Sequence, residues 1–228
     1  MFGLPTHLQH TDDVELKQIM QQTIMLQNGA VAAQMAKSGV RGLMNYGVSL
    51  VDLRGIALQY GINHSLARRL CQLQIREAKI LASLLFDARA LTDSDLQLIF
   101  DSVINLDLAI NLAHNIIWKI NDIGFYSRLA AASTWHAVAA FYAVGEGVAR
   151  RADHFEKLSD WFVKKLEPIA VKGSAELLQP AVSTMQTIAG MSVERQKNVS
   201  DIAKKLQQSP LMLVQNIGNQ FLVLGADS

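Results

Sequence analysis

One cysteine, Cys71, stands in 228 residues, so no disulfide can form within the chain and the expected setting is a reducing compartment, the cytoplasm. Prolines number 4 and glycines 14. Together they make up about 8% of the chain against roughly 12% in average usage, which excludes collagen-like repeats, flexible linkers and turn-rich β folds. Charged residues are 18%, where roughly 25% is usual. Met1 to His10 lacks a basic stretch followed by an apolar core, so no secretory signal is expected, and residues 1–10 read as a flexible end. The one membrane candidate, Leu129 to Gly145, carries Ser133, Thr134 and His136 and is shorter than the roughly 20 apolar residues a span needs. It reads as a buried helix. Zinc-ligand spacing, a P-loop, a dinucleotide fingerprint, a nucleophile elbow and an H-E-x-x-H pair are all missing, so neither metal nor cofactor is expected.

What the chain does have is apolar residues, 50% of the total, recurring at helical spacing almost throughout. The fold class is therefore all-α. Thr11, followed by Asp12, Asp13 and Glu15, reads as the cap and acidic first turn of a helix reaching Lys37, ended by Ser38 and Gly39. Further helices are expected near 50–60, 63–72, 74–87, 92–104, 106–120, 126–145, 152–166, 174–190 and 193–208. An apolar segment, 211–228, ends the chain, with Val214, Ile217, Phe221 and Leu224 at helical spacing; it either closes the array or serves a partner. A recurrence is visible too: Asp52-Leu53, Ile56, Ile62-Asn63 and Leu66-Ala67 reappear 42–43 residues on as Asp95-Leu96, Ile99, Ile104-Asn105 and Leu108-Ala109. That period belongs to HEAT or armadillo-type arrays, in which helix pairs stack to bury faces they cannot bury alone; the alternative is chance similarity of two amphipathic pairs. The expected architecture is one α-solenoid domain over 1–228.

Three stretches carry a family resemblance: Tyr46-Gly47-Val48, Leu53-Arg54-Gly55-Ile56-Ala57 and Arg76-Glu77-Ala78-Lys79-Ile80-Leu81-Ala82. Over roughly residues 20 to 145 the chain resembles the HEAT-like DNA alkylation repair family, whose best-known branch removes positively charged alkylated purines from DNA. The resemblance implies a groove that holds duplex DNA and, in active members, a Trp-Asp-x-x-Asp stretch whose second Asp supports the oxocarbenium-like transition state. The matching stretch here is Leu106-Asp107-Leu108-Ala109-Ile110. Asp107 keeps the first Asp, but Leu stands for the Trp and Ile for the catalytic Asp. An aliphatic side chain cannot stabilise developing positive charge, so the resemblance predicts a DNA-binding scaffold without the usual chemistry. An active glycosylase using Asp107 as its carboxylate is the second reading.

The net charge of +1 argues against DNA binding only if charge is evenly spread. Residues 1–36 sum to −2, 37–89 to +5, 90–125 to −4 and 126–228 to +2. The basic block holds Lys37, Arg41, Arg54, Arg68, Arg69, Arg76, Lys79 and Arg89; of these Arg54, Arg68, Arg69, Arg76 and Lys79 are the candidate phosphate contacts, with an ordinary solvated face as the alternative. Glu77 lies among Ile80, Leu81 and Leu84 and needs a partner, a loop amide or an ion pair with Arg54. Asp107, Asn111, His114 and Trp118 form a polar and aromatic stripe on one helix, a groove face or a site for acid and base. Trp135, Trp161, Phe162 and Cys71 read as core. A third reading is a protein scaffold that meets its partner through the acidic segment or the apolar tail.

Overall fold

The computed structural model describes residues 6–40 and 42–225, with side chains from 13 to 224 apart from 41. Arg41 and residues 1–5 of the expected flexible end therefore lie outside the described residues; 6–10 fall within the first helix. The contacts gather in two compact units, residues 1–116 and 117–228, each described here by itself. The first holds α1 (Thr6–Met25), α2 (Gly29–Lys37), α3 (Leu50–Tyr60), α4 (His64–Gln72), α5 (Arg76–Leu85), α6 (Asp93–Asp101) and α7 (Leu106–Asn115). The second holds a 3-10 turn (Ile117–Lys119), α8 (Ile123–Ala132), α9 (Thr134–Ala149), α10 (Phe155–Lys172), α11 (Leu178–Ala189), α12 (Val193–Gln207) and α13 (Met212–Gly225). Among the described residues there is no strand, only an isolated bridge between Met44 and Ile75.

Helix starts in the first unit are set by side-chain caps, each worth about 1 kcal/mol. The Ser49 hydroxyl accepts from the Asp52 amide, and Thr92 and Asp95 close a reciprocal capping box. Asn63 and Asn105 accept from the amides of Leu66 and Leu108. Asn63 and Asn105 belong to the sequence recurrence, and Ser49 and Thr92 stand 43 residues apart in step with it. The stacking, however, follows a different correspondence. Helices α1, α4 and α6 pack as one row and α3, α5 and α7 as another. The sequence recurrence pairs α3 with α6, across rows, so it is a repeat of helix starts and not of stacked units. The second unit repeats the two-row scheme, with α8, α10 and α12 in one row and α9, α11 and α13 in the other.

Three expected helices break, the first where Asn28 does better as a cap than inside a helix. Thr11 is no cap, since α1 begins before it. The helix expected to reach Lys37 is interrupted at Asn28, whose side chain takes the Val31 amide to start α2. Ser133, extended at φ −150°, divides the expected 126–145 helix into α8 and α9. Helix α7 stops at Asn115, with Ile116 at φ −133°, so Trp118 is not on it. No described helix is long and apolar enough to cross a membrane.

Leu53, Leu66, Leu70, Ile80, Leu81, Leu108 and Leu112 form the first core, each contributing about 1.5–3 kcal/mol by burial. In the second, Phe141 meets Phe162 edge-on at 4.9 Å and Trp161 is buried beside Tyr126. Val214, Ile217 and Phe221 are buried as well. The apolar tail is thus a terminal helix packed on α10, α11 and α12.

Candidate nucleic-acid interface

The two opposite charge blocks of the sequence turn out to be partners. Arg76, at the start of α5, is 3% exposed. Its Nε donates to Asp107 Oδ2 at 2.7 Å and its Nη2 to Asp107 Oδ1 at 3.1 Å, a bidentate pair between α5 and α7. Its Nη1 donates to Glu77 Oε1 at 3.1 Å and to the Val48 carbonyl at 3.2 Å. Burial works against this charge, but the Asp107 and Glu77 carboxylates outweigh it and hold the guanidinium pKa above its ordinary value. Asn111 Nδ2 donates to Asp107 Oδ1 at 3.2 Å, so both Asp107 oxygens are occupied.

Glu77 is fully buried and takes the loop-amide option. Its carboxylate accepts from the amides of Tyr46 and Gly47, both at 3.1 Å, and of Val48 at 3.4 Å. Its charged partner is Arg76; the expected pair with Arg54 does not form, because Arg54 faces outward on α3. The Tyr46-Gly47-Val48 motif is therefore an amide cradle for a carboxylate on α5. Gly47 sits at φ +70°, and a Cβ there would stand 2.3 Å from the Asn28 carbonyl oxygen and 2.6 Å from the Ala32 amide nitrogen. Only glycine lets the cradle lie against the start of α2.

The other expected phosphate contacts are dispersed by the same neutralisation. Arg68 gives a bidentate pair to the buried Asp95, at 2.6 and 2.9 Å. Burial disfavours the Asp95 charge, yet Arg68 and the Thr92 amide and hydroxyl hold its carboxyl well below the usual range. Arg69 pairs with Asp13 and Arg89 with Asp87. Lys79 is 5% exposed and donates to the Cys71 carbonyl at 2.8 Å, its pKa lowered by burial. Arg76 and Lys79 do share a helix face, as expected, but it is the inward one, so neither is presented to a phosphate. Of the five, Arg54 alone is exposed with no ion pair among the described residues. The expected stripe is divided too: Asp107, Asn111 and His114 stay on α7, while Trp118 belongs to the 3-10 turn of the second unit.

The second unit carries twelve Lys and Arg against ten Asp and Glu, and the first nine against ten. A cavity of about 480 Å³ between α8, α9 and α10 is lined by Ser127, Ser133, Thr134, Lys165 and Lys172 with no carboxylate. Trp118 is half-buried, with Lys119 Nζ 5.5 Å and Arg150 Cζ 5.3 Å from its ring centroid. Whole-segment sums could not find these groups, since Lys119 is counted within the −4 of residues 90–125 and the 126–228 total of +2 averages Arg150, Lys165 and Lys172 with their acidic neighbours.

No family model and no curated protein matches the sequence. The fold does have a solved counterpart, described as a new family of proteins related to the HEAT-like repeat DNA glycosylases with affinity for branched DNA structures. It aligns with a TM-score of 0.72 over 92% of this chain and 94% of its own, at 17% identity. The chain has a HEAT-like-repeat helical fold, as the resemblance implied.

Proposed function

We propose that this protein is a divergent member of the HEAT-like DNA alkylation repair family, one domain over 1–228, that binds DNA as a non-catalytic scaffold in the cytoplasm. The observation that carries the reading is the fold shared, over nearly the whole of both chains, with a family described as having affinity for branched DNA. Leu106 and Ile110 support the loss of chemistry. Asp107 does too: with both oxygens accepting from Arg76, its charge is already neutralised and adds little electrostatic stabilisation to an oxocarbenium ion. The protein-scaffold reading through the acidic segment is weakened because Asp95 and Asp107 are turned inward to Arg68 and Arg76. Arg54 in the first unit and the exposed cations of the second are the proposed phosphate contacts, with Arg68 and Arg69 available only at the expense of their ion pairs.

Fluorescence anisotropy with labelled blunt and branched DNA, at a series of salt concentrations, tests the reading. Binding that weakens linearly in log–log form with salt is expected. Absence of binding at low salt overturns it. Release of free base from alkylated DNA, abolished by Asp107→Asn, would establish the glycosylase instead.

A further inference from the structure

The second unit builds a rigid aromatic and cationic surface around Trp118. Four features hold it. Buried His154 contacts the Trp118 carbonyl from Nε2 at 3.1 Å, and since a carbonyl only accepts, Nε2 carries the proton. Gly147 on α9 lets this backbone come close: a Cβ there would stand 3.4 Å from the Trp118 oxygen and 2.9 Å from Leu158 Cδ1. Arg151 adopts φ +51°, the only non-glycine residue with positive φ among those described. This uncommon conformation returns the Ala152 amide to the Gly147 carbonyl at 2.9 Å and carries the chain back toward His154. Finally, Lys119 and Arg150 stand over the indole ring within 6 Å of its centroid, Arg150 also pairing with Glu146, so a ligand takes their places at the ring as its phosphates take up the cations. Lys119 and the charged residues of 146–153, Glu146, Arg150, Arg151 and Asp153, sum to +1.

We infer that this surface receives an unstacked nucleotide at a discontinuity in DNA, the base against the Trp118 indole and the adjoining phosphates on Lys119, Arg150 and Arg151. A continuous duplex keeps its bases stacked within the helix and offers no π-face to an indole. A nucleotide at a branch or fork offers both a ring and a flexible, doubly flanked phosphate backbone. Indole and cations held on one surface match that pair of groups, and the strained Arg151 turn fixes them before the ligand arrives. The inference rests on the DNA-binding reading and assigns it a contact residue and a preference.

The full chain is titrated with a forked DNA carrying 2-aminopurine at its first unpaired position, and with a blunt duplex of equal length. Wild-type protein should quench the 2-aminopurine and prefer the fork. Trp118→Ala should weaken fork binding roughly tenfold, from the loss of one stacking contact, abolish the quench and leave duplex affinity within about twofold. Trp118→Phe, which keeps an aromatic ring in place, should fall between the two and carries the test if the alanine variant unfolds. Fork affinity and quenching unchanged in both variants overturn the inference while the DNA-binding reading stands. Wild-type protein that binds neither DNA overturns the reading and the inference together.

Discussion

Arg76 and Asp107 form a bidentate pair that joins α5 to α7, the arginine almost wholly buried and the aspartate one-fifth exposed. The pair ties the most basic stretch of the sequence to the most acidic one. Arg76→Ala leaves Glu77 and Asp107 without their cation, and should lower the unfolding free energy by about 3–5 kcal/mol. Asp107→Asn keeps an acceptor for the guanidinium and should cost less, about 1–3 kcal/mol. Urea denaturation of both variants checks the order.

Acid stability should depend on Asp95. Its folded carboxyl lies well below the usual range, while the unfolded value is about 3.9. Folding therefore releases a proton in the window between the two values. The stabilisation is fully present above the unfolded pKa and is lost as pH falls through 4 toward the folded value. Asp95→Asn should be less stable by on the order of 2 kcal/mol at pH 7 and should show a flatter decline below pH 4, read from urea midpoints across pH.

Gly47→Ala should destabilise more than an ordinary loop substitution, since its Cβ would collide with two backbone atoms of the α2 start and not with a side chain that can turn away. About 2–4 kcal/mol is expected from the clash and the left-handed backbone combined. Hydrogen exchange should show the amides of α2 losing protection first.

Arg54 and Arg68 should separate in their effects. Arg54→Ala touches no ion pair among the described residues, so it should leave the melting temperature unchanged and, if Arg54 meets a phosphate, reduce the magnitude of the salt slope of DNA binding by about 0.9. Arg68→Ala strands buried Asp95 and should lower the melting temperature, whatever it does to binding. Thermal melts and anisotropy on the same preparations distinguish the two.

Cys71 is 6% exposed, and burial pushes its thiol up to about 11. At pH 8 it should react with a disulfide reagent only as fast as the protein opens, and at once in denaturant.

Helical periodicity and the burial of Trp161, Phe162 and Cys71 were legible in the sequence because each depends on neighbours within about one turn or on side-chain polarity alone, whereas the caps at Ser49, Asn63, Thr92 and Asn105 were not read and the one expected cap, Thr11, lies inside α1. The need of Glu77 for a partner was legible for the same reason. That its partners would be the amides of Tyr46, Gly47 and Val48 was not, since those lie thirty residues away along the chain and meet it only through the Met44–Ile75 bridge. The breaks at Asn28, Ser133 and Ile116 were missed because apolar spacing continues across them, and Trp118 was lost from its stripe with the last of these.

The sequence by itself determined that this is an all-α protein of stacked helices, and its resemblance implies that Leu106 and Ile110 stand where that family keeps its Trp and catalytic Asp. Side-chain chemistry and spacing settle the first; the second is what the resemblance implies. Tertiary structure alone decided which charges face water. A sum over a segment counts Arg76, Lys79 and Asp107 as free ions. Folding brings Arg76 to Asp107, Arg68 to Asp95 and Lys79 to the Cys71 carbonyl, because a charge leaving water needs an opposite charge or a hydrogen-bond acceptor beside it. What reads along the chain as a basic block beside an acidic one becomes a set of internal ties in the first unit. Exposed cations stand at Arg54 and, on the second unit, at Lys165 and Lys172 by the cavity and at Lys119 and Arg150 over Trp118, the last paired with Glu146.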